Sequence, residues 1–165
     1  MILRPIDEGD LELLRSWRND TRINRWCRQS LPISSIDQHN WYVAYHKDNS
    51  IKMFAIEHDG MLIGCSGLTS IDLVNRRAEF SLYVEPKQQG KGLAREALIE
   101  LLKIGFNCLG LNRIYGEVFQ GNSAIELFKR VGFELEGTRK QFYFKHGVFI
   151  DAHIISITKE NICYT

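Results

Sequence analysis

The stretch AEFSLYVEPKQQGKGLAREAL, residues 78–98, carries the pattern that decides the fold. It begins with a β-rich run that Pro86 ends, turns through Gly90 and Gly92, and continues into a segment with a broad apolar stripe at helical spacing. A strand that enters a helix through such a turn leaves the first N–H groups of the helix without partners. Together with the helix dipole, these donors favour the binding of an anion such as phosphate.

The residues of the turn support an anion site but do not match two well-known phosphate motifs. Gly90 and Gly92 remove side chains that would block close approach, and Lys91 adds a positive charge. A tight turn closed by glycine for packing reasons is the alternative. A Walker loop would need glycine where Glu85 stands, and a dinucleotide fingerprint would need a small residue where Arg95 stands.

The remaining segments predict an α/β (α+β) protein with a mixed sheet and helices on its faces. Strands are predicted at 2–6, 52–58, 61–68, 76–86, 113–119, 134–145 and 148–158, and helices at 7–20, from Ser34, from Leu93 to Phe106, and at 122–133. Asp59-Gly60 and His146-Gly147 mark hairpin turns. The predicted order is therefore β-α-α-β-β-β-α-β-α-β-β.

Capping residues support three of the predicted helices. Asp7 is the expected N-cap of the first helix, and Ser34 with Asp37 forms a capping box at the second. Asn122 is expected to cap the last helix, and Gly132 stands just past its end. Within the second helix, the residues Ile36, Trp41 and Val43 predict an amphipathic face.

Length and composition favour a single domain over residues 1–165. The chain is 44% hydrophobic and 25% charged, with a formal net charge of +1, which argues against a dedicated nucleic-acid binder. The four cysteines are scattered without metal-ligand spacing, so free thiols are expected and no metal. No signal stretch or long uncharged apolar run is present, and we expect a cytoplasmic protein that does not bind membranes.

Two separate segments resemble the GNAT N-acetyltransferases. Gln89, Gly92 and Ala94 match the Gln/Arg-x-x-Gly-x-Gly/Ala signature of that family, and NSAIELFKRVGFELEG, residues 122–137, is similar to its second cofactor segment. The order of elements also resembles the family from residue 2 to about residue 158. The resemblance implies a mostly antiparallel mixed sheet with splayed central strands, and acetyl-CoA as the acetyl donor.

The resemblance also implies which residues bind the donor. The strand segment of Leu82, Tyr83 and Val84 would align the pantetheine arm like an added strand, and Asn122 would contact this arm. Phe128 would lie near the thioester. The pyrophosphate would be held by the N–H groups of Gln89, Gly90, Lys91, Gly92, Leu93 and Ala94.

In the reaction that the resemblance implies, a primary amine must lose a proton before it attacks the acetyl group, which costs roughly 4 kcal/mol for an alkylamine at neutral pH. Glu79 is the predicted base, because it alternates with Ser81 and Tyr83 on one face of the strand that lines the cofactor. An ion pair of Glu79 with Arg76 or Arg77 is the alternative. Ser81 either holds a bridging water or bonds to a neighbouring strand.

The general acid is where the sequence departs from the family pattern. Many relatives place a tyrosine where this chain has Phe128, which has no proton to give to the departing sulfur. Tyr143 and Tyr115 are the candidate replacements, and protonation by solvent is a further alternative. A non-catalytic acetyl-CoA sensor or interaction module with the same fold also stays open.

The acceptor amine is predicted from the N-terminal third. WRND at 17–20, Trp26 and HNW at 39–41 resemble the subgroup that contains sugar-nucleotide amine N-acetyltransferases. The C-terminal half resembles equally the spermidine and ribosomal-protein-alanine acetyltransferases, which share an ending with Gly147 and Asp151.

Charge favours an amino-sugar nucleotide as the acceptor. Between residues 17 and 41 the acidic residues are Asp20 and Asp37, whereas arginines stand at 18, 22, 25 and 28 and could engage a diphosphate. A polyamine pocket would need converging carboxylates instead. A protein N-terminus and a polyamine remain alternatives, and the β-rich C-terminal end predicts a homodimer.

Overall fold

One seven-stranded sheet organises the computed structural model, which describes residues 1–163. The strand order is β1-β2-β3-β4-β5-β7-β6, and only β4 and β5 run parallel. The strands are β1 (Ile2–Pro5), β2 (Lys52–His58), β3 (Met61–Asp72), β4 (Arg77–Val84), β5 (Arg113–Phe119), β6 (Glu134–Lys145) and β7 (Val148–Thr158). The predicted mixed, mostly antiparallel sheet is confirmed.

Within the described residues, five α-helices flank the sheet: α1 (Leu11–Asn19), α2 (Thr21–Asn24), α3 (Ser35–Lys47), α4 (Leu93–Lys103) and α5 (Ala124–Val131). A π-helical turn, Ile104–Cys108, extends α4. The short helix α2 was not predicted; it begins where the Asp20 carboxylate accepts a hydrogen bond from the N–H of Arg22 at 2.8 Å. No helix within residues 1–163 is long and apolar enough to cross a membrane.

Local turn and cap chemistry places most element boundaries where the sequence predicts them. Asp59 and Gly60 both adopt positive φ, 51° and 73°, as do His146 and Gly147, at 50° and 83°. These values are typical of the two-residue turns that match the twist of the flanking strands. Both predicted hairpins are therefore confirmed, and Gly132 ends α5 with φ 111°.

The start of the first helix differs from the prediction. Helix α1 begins at Leu11, and Asp7 instead precedes a 3-10 turn, Glu8–Asp10. The Asp10 carboxylate is bound by two nitrogens of Arg4, at 2.7 and 2.9 Å, and by the N–H of Asp7. Because Arg4 lies on β1 and also binds Glu57, this network joins the edge of the sheet to the first helical segment.

The helices pack on both faces of the sheet, as predicted. The core beneath α4 and α5 contains Ala78 of β4 and Ile114 of β5, with Phe80 and Leu82 packed against it. The core beneath α1 and α2 lies on the other face, and Tyr83 packs there with Trp41 of α3. Successive residues of β4 thus alternate between the two cores.

Helix α3 buries a different stripe from the predicted one. The capping box of Ser34 and Asp37 is present, but Ile36 is 71% exposed and Val43 is 39% exposed. The stripe that faces the protein instead comprises Gln38, Trp41, Tyr42 and Tyr45. Residues at spacings of three and four lie on one helix face, and this aromatic stripe satisfies that rule, whereas Ile36 and Val43 lie opposite.

The central strands splay, as the resemblance implied. Strand β4 pairs with β5 only over 77–79 and 113–115, so its later half has an open edge. The N–H of Glu85 donates to the carbonyl of Ile63 on β3 at 2.7 Å. Because backbone groups alternate along a strand, the N–H and C=O groups of Leu82 and Val84 point toward the open edge.

Strand β6 forms the far edge of the sheet and carries exposed aromatic side chains. Phe144 of β6 is 59% exposed, and its ring centroid lies 5.1 Å from that of Phe149 on the neighbouring strand β7, which is 62% exposed. The homodimer expected at this end of the chain stays a prediction.

All four cysteines are free thiols, of which Cys65 is buried, and burial raises its pKa to about 12.

Candidate active site

A cleft of about 770 Å³ opens where β4 and β5 diverge. One end lies against the glycine turn before α4, and the other lies against α2 and the loop that follows it. The lining residues discussed below are Arg18, Arg22, Trp26, Arg28, Glu79, Ser81, Leu82, Tyr83, Val84, Gln89, Gly90, Gly92, Ala94, Glu117, Asn122 and Phe128.

The glycine turn presents a row of free donors to the cleft. The backbone N–H groups from Gln89 to Ala94 have no hydrogen-bond partner within residues 1–163. Gly90 and Gly92 have φ of 77° and 84°, and a Cβ atom added at either would meet nothing within 4 Å. Glycine is therefore required for the backbone conformation and not for packing, and the space above the turn is open to a ligand.

Side chains fix the shape of the turn. The amide nitrogen Nε2 of Gln89 donates to the carbonyl of Val84 at 3.0 Å, which ties the turn to the end of β4. Lys91 donates from Nζ to Oε1 of Gln88 at 2.8 Å and does not line the cleft. The Leu93 side chain is buried in the core with Val84, so this residue can offer only its N–H group.

The middle of the cleft combines the open edge of β4 with α5. The side-chain oxygen of Asn122 accepts a hydrogen bond from the N–H of Ala124 at 3.0 Å, so the predicted capping interaction is confirmed, although the residue directly before α5 is Ser123. Phe128 is 8% exposed, and its ring packs 5.1 Å from that of Phe80. It therefore forms an apolar wall.

The opposite end of the cleft contains two carboxylates that share one arginine. The Arg28 guanidinium binds both oxygens of Glu79, with Nη1 3.1 Å from Oε2, and its Nη2 atom also lies 2.9 Å from Oε2 of Glu117. The Glu117 side chain is only 8% exposed and additionally binds Arg139. The partner of Glu79 is thus Arg28, and the alternative of an ion pair with Arg76 or Arg77 is wrong.

Tyr143 contacts this cluster from outside the cleft. Its hydroxyl donates to Oε2 of Glu117, and burial, followed by this hydrogen bond, raises the pKa of Tyr143. The side chain does not line the cleft. A hydroxyl with a raised pKa is a weaker acid, so this geometry gives little support to Tyr143 as the proton donor, which stays a prediction.

A buried lysine supports the loop that carries Arg28. The Lys145 side chain is 4% exposed overall, and its Nζ donates to the carbonyls of Asn24, Cys27 and Gln29 at 2.9, 2.5 and 2.6 Å. Burial lowers the pKa of Lys145. An ammonium group has three donors, and here each donor meets a carbonyl of the same loop.

An irregular segment of β6 brings Tyr143 and Arg139 to Glu117. The register with β7 shifts between Arg139 and Tyr143, where Gln141 has φ 50°. Asp151 of β7 holds this segment, because its carboxylate accepts from the N–H of Gln141 and from Nζ of Lys140, both at 2.8 Å. This gives a structural role to Asp151, which the sequence singled out only by resemblance.

Arg18 and Tyr83 form the floor next to the acceptor end. The guanidinium carbon of Arg18 lies 5.6 Å from the centre of the Tyr83 ring, and the buried Nε of Arg18 has no partner within residues 1–163. Burial raises the pKa of Tyr83 well above its usual value. Arg25 lies outside the cleft lining and stacks on Trp26, with 5.6 Å from its guanidinium carbon to the ring centre.

The structure brings most predicted site residues to one cleft. Of the predicted set, Lys91, Leu93 and Tyr143 do not line it, and neither does Tyr115, the other candidate acid. Glu117 lines the cleft but was not predicted. Its position follows from the parallel register of β4 and β5, in which Glu79 lies opposite Tyr115. Glu117 is two residues after Tyr115, so its side chain lies on the same face of the sheet as that of Glu79, where the two strands begin to diverge.

Free donors for a diphosphate, an open strand edge beside them and a carboxylate pair at the far end define the site of a coenzyme A-dependent acyltransferase. The chain belongs to the GNAT acetyltransferases: the family model for the acetyltransferase (GNAT) domain matches residues 1–134. It is an N-acetyltransferase that uses acetyl-CoA, and the comparisons below favour this enzyme over a non-catalytic sensor.

Three similar proteins illustrate the range of the family. The chain is 31% identical to spermidine N(1)-acetyltransferase of Escherichia coli (strain K12) over 151 residues, which cover 91% of this chain and 81% of the relative. It is 27% identical to acetyltransferase PseH of Campylobacter jejuni over 139 residues, 84% of this chain and 85% of the relative. The crystal structure of spermidine N-acetyltransferase from Vibrio cholerae with CoA and spermine superposes with a TM-score of 0.91 at 29% identity, covering 97% and 96% of the two chains.

Proposed function

We propose that this N-acetyltransferase acetylates the primary amine of an acceptor that also carries negative charge, with an amino-sugar nucleotide as the leading candidate. The observation that supports this acceptor is an arginine at the far end of the cleft that has no carboxylate partner. Of the three arginines that line this end, Arg28 is paired with Glu79 and Glu117. Arg22 is paired with Asp20, so Arg18 is the one without a carboxylate partner within residues 1–163. A bidentate guanidinium suits a phosphate or a carboxylate of the acceptor.

The residues at the other end fit coenzyme A. The free N–H groups from Gln89 to Ala94 and the open space above the two glycines suit its pyrophosphate. The backbone groups of Leu82 and the N–H of Val84 face the open edge of β4 and can pair with the amide groups of an extended pantetheine arm, while the carbonyl of Val84 is bound by Gln89. When bound, acetyl-CoA supplies an activated acetyl group on a thioester.

Glu79 is the proposed base that removes a proton from the acceptor amine. Each carboxylate oxygen has two lone pairs, so Glu79 can accept a hydrogen bond from the amine while it stays paired with Arg28. Ser81, which lies two residues further on the same face of β4, is proposed to hold a water between this carboxylate and the amine. Phe128 would form an apolar wall beside the thioester, and, because it has no proton to give, the departing thiolate would take its proton from water.

A polyamine acceptor is the second candidate, because relatives named spermidine acetyltransferases match most of the chain. A polyamine would have to compete with Arg28 for Glu79 and Glu117. A protein N-terminus is a further alternative, since recognition of a peptide backbone leaves little trace in the sequence.

Thiol release measured with a panel of acceptors tests the proposal. We expect turnover with a UDP-linked amino sugar to exceed that with spermidine and with an alanine-initiated peptide by at least about tenfold, which corresponds to 1.4 kcal/mol of discrimination. A higher kcat/KM for spermidine or for the peptide would contradict the proposed acceptor.

A variant tests the proposed base separately. Glu79→Gln should lower kcat by about 100-fold, a typical contribution of general base catalysis, with little change in the Kd for CoA measured by calorimetry. Glu100→Gln is the matched control, because Glu100 is an exposed carboxylate on α4 that pairs with Lys103. Equal kcat values for the two variants would remove Glu79 from the reaction.

A further inference from the structure

Arg28 occupies the position in which the amine end of a polycation would be held. Its Nη2 atom is within hydrogen-bond distance of both Glu79 and Glu117, so one guanidinium is shared by two carboxylates that come from different strands. We propose that Arg28 is a specificity-determining residue, an internal cation that excludes polyamines from the acceptor end. The inference rests on the proposed function in that it concerns the acceptor of the same cleft.

The competition follows from geometry and charge. An alkylammonium that bound between Glu79 and Glu117 would need the same oxygens that Arg28 uses, and it would lie close to a charge of its own sign. A second ammonium further along the polyamine would meet the positive charge of Arg18, which has no carboxylate partner within residues 1–163, whereas the charge of Arg22 is already paired with Asp20. An acceptor with a single amine and a negative charge avoids this repulsion, because it brings no second ammonium group toward the arginines.

The loop that carries Arg28 is held in place, which fixes the point from which its half-exposed side chain reaches the two carboxylates. The carbonyls of Asn24, Cys27 and Gln29, on both sides of Arg28, converge on the buried ammonium of Lys145. A side chain whose backbone is fixed on both sides loses less entropy when it forms its ion pairs. The cation site is therefore occupied in the protein before any acceptor enters.

Removal of Arg28 would leave the two carboxylates unequally paired. Glu117 would keep Arg139 and the hydroxyl of Tyr143, whereas the structure gives Glu79 no other side-chain partner within residues 1–163. The variant would thus present one unpaired carboxylate at the acceptor end, with a second nearby. This arrangement suits an ammonium group.

The test compares spermidine binding and turnover in four proteins. We expect Arg28→Gln to bind spermidine measurably in calorimetry with CoA present, and its kcat/KM for spermidine to rise at least about tenfold over the unmodified protein, mainly through KM. Arg28→Lys keeps the charge and should stay near the unmodified protein. Arg25→Gln removes a charge from the same loop at a residue that stacks on Trp26 outside the cleft, and should also stay near it.

Three results would overturn the inference: no gain for Arg28→Gln, an equal gain for Arg25→Gln, or an equal gain for Arg28→Lys. The Kd for CoA of each variant, measured in the same experiment, establishes that the cleft is formed, and Arg28→Met serves if the glutamine variant does not fold. The proposed acceptor is tested separately by the turnover of the unmodified protein with a UDP-linked amino sugar. That turnover can be absent while the spermidine gain of Arg28→Gln is present, so the two failures are distinguishable.

Discussion

Replacement of Lys145 by methionine tests how much the buried ammonium contributes to the fold. Methionine has a similar length and is apolar, so the substitution removes the three donors and the charge with little change in volume. The carbonyls of Asn24, Cys27 and Gln29 lose their shared partner. We expect the loop around Arg28 to loosen and the free energy of unfolding to fall.

The magnitude follows from the number of bonds and from burial. A hydrogen bond to a charged group contributes about 1.5–3 kcal/mol net, so three bonds set an upper bound of about 9 kcal/mol. Relief from burying the ammonium offsets several kcal/mol of this, and water can reach carbonyls of a loop whose neighbours Trp26 and Arg28 are exposed. A loss of about 3 kcal/mol is the expected result, which lowers Tm by roughly 6–12 °C for a chain of this size.

Urea unfolding followed by tryptophan fluorescence measures this loss, and amide hydrogen exchange over residues 22–29 locates it. Lys140→Met is the matched control, because Lys140 lies on the same strand with a side chain that is 77% exposed and a single ion pair to Asp151. The control should cost less than about 1 kcal/mol. If both variants had the same stability and the same exchange rates, Lys145 would have no organising role.

Two further predictions concern the glycine turn and the edge of the sheet. Gly92→Ala should raise the Kd for CoA at least about tenfold, because its φ of 84° disfavours a side chain and relief of this strain would change the backbone conformation that presents the free N–H groups. Gly110→Ala, with a comparable φ of 66° in a distant turn, should lose about 1 kcal/mol of stability but keep the Kd. Equal effects of both on CoA binding would refute a local role. Hydrogen bonds from Arg4 lower the pKa of Asp10 below its usual 3.8, so this carboxylate contributes stability above about pH 4 that is lost as the pH falls through the lowered value. The urea midpoint of Asp10→Asn should therefore fall less between pH 7 and pH 3 than that of the unmodified protein, and an equal fall would contradict the assignment.

The elements that were predicted correctly are those whose signals are local. Turn and cap residues such as Asp59, Gly60 and Asn122 act on neighbouring backbone groups. Their effect can therefore be predicted from the residues adjacent to them in the sequence. The prediction for α3 was wrong at Ile36 and Val43, because hydrophobicity alone does not indicate which face meets the sheet. The neighbouring aromatic stripe, rather than these aliphatic residues, packs against the protein.

The acceptor end could be predicted only in part, because its contacts join distant segments. The ion-pair partners considered for Glu79, as the alternative to a role as base, were its sequence neighbours Arg76 and Arg77. Arg28 instead stands 51 positions away and reaches Glu79 from a loop held by Lys145. Glu117 was missed because its position depends on the register between two parallel strands. Such registers are set by the packing of the whole sheet, which no short motif encodes.

The unpaired edge of β4 beyond Glu79 makes the stability of the folded chain responsive to its surroundings. The later half of β4 has no partner strand, so its backbone groups can form these hydrogen bonds only with a bound ligand. The free energy of unfolding should therefore rise as the concentration of coenzyme A rises. At a coenzyme concentration 100 times Kd, this linkage adds about 2.7 kcal/mol. In a cell, the lifetime of the protein would then follow the supply of its own co-substrate, and a depleted pool would leave more of the chain open to proteolysis.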